Sequence, residues 1–321
     1  MPSVTVAAVE PTETAADTVA VGFFENEDIG HGLGQLTEAK AGLGKVAVTH
    51  AGGKRWLAVG LGRRSEFAIE PARIAAGAAW SRAQDLGAQT LAWALPGGVS
   101  AGGIVEGSVL AAHPVARYKS EPAEDTLTAL VVCGADAAEA DEARVLAEAV
   151  NAGRDLQNAP ANVMTPTALA THARKLAAEL GMTVDVLGRE QLRAAGMGAF
   201  SAVAQGARQE PQLITLRYSP ANAGGPTLAL VGKAVTFDTG GISIKPGMKM
   251  SDMKFDMSGG AAVLAAMEAI ARLALPVSVI GVVGATDNDV GSAAVKPGDI
   301  VRARSGTTIE ILNTDAEGRL V

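Results

Sequence analysis

An apolar run, Leu228–Phe237, carries Lys233 in its interior and ends on Asp238. Burying a lysine among valines costs free energy unless it is paired, deprotonated or bound to something. Thr239-Gly240-Gly241 then makes a turn with little steric bulk, and Lys245 follows. Asp256 stands in Lys254-Phe255-Asp256-Met257, just ahead of Ser258-Gly259-Gly260. A third acidic segment, Asn313-Thr314-Asp315-Ala316-Glu317-Gly318-Arg319, follows apolar Ile309–Leu312. Asp315 and Glu317 are two residues apart, so in an extended loop both side chains can turn to one side. Carboxylates gathered in one crevice repel unless cations compensate them. Acids with an amine and no Cys or His favour hard or borderline divalent ions such as Mn²⁺, Mg²⁺ or Zn²⁺.

Each piece has a plainer explanation. Asp238-Thr239-Gly240-Gly241 alone reads as an ordinary turn, and Asp256 alone as a capping carboxylate for the following helix. Lys233 alone could pair with a core carboxylate, and Lys245 alone could be a solvated surface charge. Asn313-Thr314-Asp315 could be an Asx turn, with Arg319 in a surface ion pair. The order and spacing of the three segments together argue for a shared site.

The elements that must position them form an α/β pattern. Strands are predicted at Trp56–Leu61, Thr90–Leu95 and Thr126–Cys133, with helices at Pro71–Gly87 and Ile104–Ala112 between them. That alternation implies βαβ units and a mainly parallel sheet. A longer helix, Glu139–Gln157, stops at the turn-rich Asn158–Asn162. The next helix starts with Thr165 as N-cap and Pro166 in its first turn, and ends at Gly181. Further strands are expected at Thr183–Leu187, Leu213–Tyr218, Leu228–Phe237 and Val277–Val283, with a helix from about Gly259 to Leu273. Val301–Leu312 suggests a hairpin around Arg304-Ser305-Gly306. The fold class is therefore α/β in two domains, each a mixed or mainly parallel sheet flanked by helices. Loops at the carboxyl ends of such strands converge on one crevice.

Composition narrows the function classes. The 321 residues carry 27 basic and 34 acidic side chains, a net charge of −7, with no dense Lys/Arg run, which disfavours nucleic acid as a partner. No stretch of 18 uninterrupted apolar residues occurs, so no membrane-spanning helix is expected. Residues Met1–Glu10 lack a basic region followed by an apolar one, so no signal peptide is read and a cytoplasmic setting is the default. The single cysteine, Cys133, ends the apolar run Leu130–Cys133 and reads as a buried strand residue. None of the four histidines, His31, His50, His113 and His172, adjoins the acidic segments, which argues against a phosphatase-type site with histidine ligands.

The segment from Val231 to Pro246, with Lys254-Phe255-Asp256-Met257 and Asn313 to Leu320, resembles three successive blocks of the leucyl (cytosol) aminopeptidase family. Arg154-Asp155-Leu156, with Asn158, Pro160, Asn162, Thr165 and Pro166, is similar to the family's inter-domain segment. The resemblance runs from about Ala149 to Val321 and is only architectural before that. It implies residues 1–137 as an N-terminal α/β domain, 138–160 as linker helix and hinge, and 161–321 as the first portion of the catalytic domain. One departure is Ala234, where the family usually has glycine; the added methyl is expected near the site and to change little. Family members continue past the Asn-Thr-Asp-Ala-Glu-Gly-Arg block, so the chain is expected to be a fragment, poorly active alone.

Carried over, the resemblance implies one ion on Lys233, Asp238, Asp256 and Glu317, and a second on Asp238, Asp315 and Glu317. As a ligand, Lys233 would need a strongly lowered pKa. Lys245 and Arg319 would be catalytic, Lys245 near the substrate carbonyl and Arg319 holding a bicarbonate-like anion as base. The implied activity is release of N-terminal residues, leucine and similar, from peptides by two-metal activated water attack. The ions would be Mn²⁺, Zn²⁺ or Mg²⁺, and the assembly a homo-oligomer, hexameric in the family. The alternative is a catalytically impaired fragment or relative serving as a DNA-binding or scaffold protein.

Overall fold

A computed structural model describes residues 1–321 except Gln35, 114–116 and 122–125. The chain divides into two compact units, Met1–Asn151 and Ala152–Val321.

The first unit is built on a six-stranded sheet. Its strands are β1 (Ser3–Ala7), β2 (Thr18–Phe23), β3 (Val46–Ala51), β4 (Lys54–Gly60), β5 (Thr90–Ala94) and β6 (Ala129–Cys133), in the order β1-β6-β5-β2-β4-β3. All neighbours are parallel except the β3–β4 pair at one edge. Helices α1 (Ile69–Asp85) and α2 (Ala101–Ala111), and the first part of α3 (Ala137–Asn158), supply the alanines and aliphatics of one core around Trp80 and Trp93. A second core forms around Val19, Val21, Phe23 and Trp56. β2 is buried along its whole length, as expected of a central strand covered on both faces. The strands before Trp56 were not predicted. β1 is a short edge strand with alternating exposure, and β3 carries Thr49 and His50 toward an exposed end, so neither shows a continuous apolar run. Cys133 is buried at the end of β6, and burial pushes its thiol up.

The second unit has a four-stranded mixed sheet. It comprises β7 (Thr183–Leu187), β8 (Gln212–Tyr218), β9 (Leu228–Asp238) and β10 (Val279–Asn288), ordered β7-β8-β10-β9. Only β9 and β10 run parallel; β7–β8 and β8–β10 are antiparallel. Helix α4 (Pro166–Leu180) starts as the sequence predicts: the Thr165 hydroxyl accepts from Ala168 N at 3.2 Å, and Gly181 closes the helix at φ 66°. Leu169, Ala173, Leu176 and Ala177 face the core that α4 shares with α7 (Ser258–Arg272) and the sheet. Two short helices, α5 (Arg189–Ala194) and α6 (Gly198–Val203), lie between β7 and β8 in sequence. The hairpin β11 (Ile300–Arg302) and β12 (Thr308–Glu310) turns at Gly306, φ 91°.

β10 extends past Val283 to Asn288. The apolar signal stops at Ala285, but parallel pairing with β9 carries the polar residues Thr286 and Asn288 to the same sheet end as Asp238. Among the described residues, no helix is long and apolar enough to cross a membrane.

Candidate metal centre

β9 and β10 end side by side because they are parallel, and Asp238 pairs in register with Asn288. The apolar strand thus delivers an acid to the sheet edge at 3% exposure. Asp238 Oδ1 accepts from Gly240 N at 2.9 Å and from Asn288 Nδ2 at 2.8 Å. Gly240 and Gly241 take φ 87° and 66°, where L-residues with a Cβ are strained. A Cβ on Gly241 would also stand 2.9 Å from Asn288 Oδ1 and 3.0 Å from Thr314 Oγ1. Thr314 Oγ1 donates to Gly240 O at 2.6 Å and accepts from Ser243 N at 2.8 Å, tying the loop after β9 to the loop that bears Asp315.

The two lysines each join two carboxylates. Lys233 Nζ lies 2.5 Å from Glu317 Oε1 and 2.7 Å from Asp256 Oδ2. Lys245 Nζ lies 2.8 Å from Asp238 Oδ2 and also contacts Asp315 Oδ1. Asp238, Asp315 and Glu317 each offer an oxygen, and these oxygens lie within 4.8 Å of one another. Asp256 follows a 3-10 turn, Met250–Phe255, and gives no side-chain cap to α7; its charge is directed to Lys233. The sequence-predicted Lys233, Asp238, Lys245, Asp256, Asp315 and Glu317 therefore come together. Arg319 ends the 3-10 turn Glu317–Arg319, is exposed, and has no ion-pair partner among the described residues.

A model of the cytosol aminopeptidase family's catalytic domain matches residues 151–321, and one of that family's N-terminal domain matches residues 33–122. The probable cytosol aminopeptidase of Roseiflexus castenholzii is 41% identical over 340 aligned positions, covering 99% of this chain and 70% of the relative. That of Solibacter usitatus is 42% identical, covering 95% and 67%. The chain belongs to the cytosol aminopeptidase family. It is therefore a metal-dependent aminopeptidase, acting on peptides. Solved structures of similar fold include a mutant of tomato leucine aminopeptidase (30% identical, TM-score 0.86, 100% of this chain and 69% of that one). The bottromycin maturation enzyme BotP in complex with Mn is 34% identical with a TM-score of 0.85, over 95% of this chain and 67% of that one.

The donor set of this family member fits cations. Four carboxylates, Asp238, Asp256, Asp315 and Glu317, face two ammonium groups, an excess of negative charge in a half-buried space. Asp256 Oδ2 is buried, and its 2.7 Å contact with Lys233 is an ion pair without good hydrogen-bond geometry. A carboxylate oxygen so placed is suited to a charge that needs no directed hydrogen. Burial pushes the Asp256 carboxyl up; Lys233 draws it back, and the net direction is upward. Burial pulls the Lys233 ammonium down, but its contacts with Asp256 and Glu317 outweigh this and leave it raised. The strongly lowered value required of a lysine ligand is thus not a property of these side chains alone. Lys245 is raised in the same way, burial opposing and Asp238 and Asp315 prevailing.

Ala234 follows Lys233 in β9. It is fully buried in the core, and its methyl faces Gly260 of α7, where a Cβ would approach to 2.7 Å. Sequence reasoning also missed Asn288 and Thr314, which hold the acids in place. A usable signal for Asn288 was the polar run Thr286-Asp287-Asn288-Asp289 directly after an apolar strand.

Proposed function

We propose that the chain releases N-terminal residues, leucine and similar ones, from peptides, using two divalent ions held by Lys233, Asp238, Asp256, Asp315 and Glu317. The observation that carries this is the meeting of two lysines and four carboxylates from three chain segments in one half-buried cluster. Lys233, Asp238, Asp256 and Glu317 would hold one ion, and Asp238, Asp315 and Glu317 the other. When bound, the ions supply Lewis acidity that activates water and polarises the scissile carbonyl.

The chain's own groups do the rest. Lys245 presents an ammonium beside Asp238 and Asp315, placed to stabilise negative charge developing on the carbonyl oxygen. Arg319, exposed beside Glu317, offers guanidinium donors that would hold a bicarbonate-like anion, a group that would supply general-base chemistry there. Lys233 must give up a proton to serve as a ligand, and the raised ammonium makes that step pH-dependent. Mn²⁺ is the first ion to test, because a similar structure was solved with it; Zn²⁺ and Mg²⁺ suit the same oxygens. The same reading expects a homo-oligomer, hexameric as in the family, acting in the cytoplasm.

The test is hydrolysis of leucine p-nitroanilide by the purified chain, with Mn²⁺ and after chelation. Turnover that chelation removes and Mn²⁺ restores supports the proposal. Turnover indifferent to chelation contradicts it.

A further inference from the structure

We infer that Asn288 is a positioning residue that sets the spacing between the Asp238 and Asp315 carboxylates; this rests on the reading of those acids as ion-holding. The register brings Asn288 there. Thr286 pairs with Val235, and continuing that step would set Asn288 against Phe237; a shift of one residue in β9 sets it against Asp238 instead. Such irregularities re-aim a side chain at a strand end.

The Asn288 amide uses its donors on two acceptors from different segments. Nδ2 donates to Asp238 Oδ1 at 2.8 Å and to Thr314 O at 3.0 Å, one peptide away from Asp315. Since both acceptors need a hydrogen, the amide orientation follows from the network. Asp238 Oδ1 is committed to Asn288 and Gly240, which leaves Oδ2 turned to Lys245 and the cluster. Asn288, Asp238 and Thr314 are all at least 97% buried, with exposures of 2%, 3% and 3%, so water does not replace a lost donor easily. An aspartate here would place a charge against Asp238, and a serine could supply only one hydrogen. An asparagine meets both demands without charge.

Partners that orient metal-holding side chains typically change metal affinity by about 10–100-fold when removed. The experiment is calorimetric titration of the chain with Mn²⁺ alone, alongside thermal melting in chelator, for wild type, Asn288→Ala and Thr236→Val. Thr236 bonds Asp287 across the same two strands and shares no hydrogen bond with Asp238 among the described residues, so its loss is a control for damage to strand pairing. Asn288→Ala is expected to weaken Mn²⁺ binding by about 10–100-fold, while Thr236→Val lowers the melting temperature and leaves Mn²⁺ affinity unchanged. Should Asn288→Ala fail to fold, Asn288→Ser, retaining one donor, is expected to weaken binding by a smaller factor. Asn288→Ala or Asn288→Ser binding Mn²⁺ as tightly as wild type overturns the positioning role alone. A wild-type chain that binds no Mn²⁺ overturns the ion site and the positioning role together.

Discussion

Lys233, inside β9, and Glu317, 84 residues later on a 3-10 turn, meet at 2.5 Å, and the same ammonium reaches Asp256. A half-buried lysine that serves two acids from different segments is an organising group for the site as well as a charge partner.

Removing a shared acid should be severe. Asp238→Ala or Glu317→Ala is expected to lower leucine p-nitroanilide turnover by more than about 100-fold, since even partners one step removed from a metal cost 10–100-fold. Near-normal turnover in either variant contradicts the shared role.

Lys245 should separate binding from chemistry. Its ammonium competes with a cation for Asp238 and Asp315, so Lys245→Ala is expected to keep or raise Mn²⁺ affinity. Turnover at saturating Mn²⁺ should still fall by about 10²–10³-fold, as for loss of an oxyanion donor. Parallel loss of affinity and turnover would make Lys245 a structural counter-ion only.

Ion binding should release protons. Lys233 is held as an ammonium, raised by Asp256 and Glu317 against the opposing effect of burial. A neutral amine is needed for coordination, so Mn²⁺ affinity is expected to rise with pH. Titrations in buffers of different ionisation enthalpy measure the proton count directly; an affinity independent of pH contradicts ligation by Lys233.

Chelation should leave the chain folded but less stable. The two lysines partly neutralise the acids without ions, whereas Mn²⁺ at about 100 times its dissociation constant adds about 2.7 kcal/mol. The melting temperature is expected to rise by several degrees on Mn²⁺ addition, read by calorimetry or fluorescence.

The turn after β9 should tolerate no side chain. Gly241→Ala combines φ 66° with contacts of 2.9 and 3.0 Å to Asn288 and Thr314. The backbone term alone costs about 1–2 kcal/mol, and the displaced loop should weaken Mn²⁺ binding. Unchanged melting and affinity would show that the two loops are not tightly joined.

The acids and lysines were legible because their residue types are out of place at the ends and interiors of apolar runs. Asp238 closing the strand that carries Lys233, and Asp315 with Glu317 after Ile309–Leu312, stand out without any structure. The helix from Thr165 to Gly181 was equally plain, since its N-cap and left-handed stop are local chemistry. Asn288 was not, because its role depends on a register shift between strands some 50 residues apart in sequence. β1 and β3 escaped notice for a related reason: strand pairing across the sheet stabilises short, half-exposed segments whose own patterns are weak. Nor could periodicity reveal that β8 runs antiparallel to β10.

The most direct measurement is anomalous diffraction from crystals of the chain grown with Mn²⁺. Two anomalous peaks are expected within the cluster, one touched by Lys233 Nζ and Asp256 and one by Asp315, with Asp238 and Glu317 contacting both. Peaks elsewhere, or Lys233 still paired as an ammonium with no ion beside it, would contradict the account.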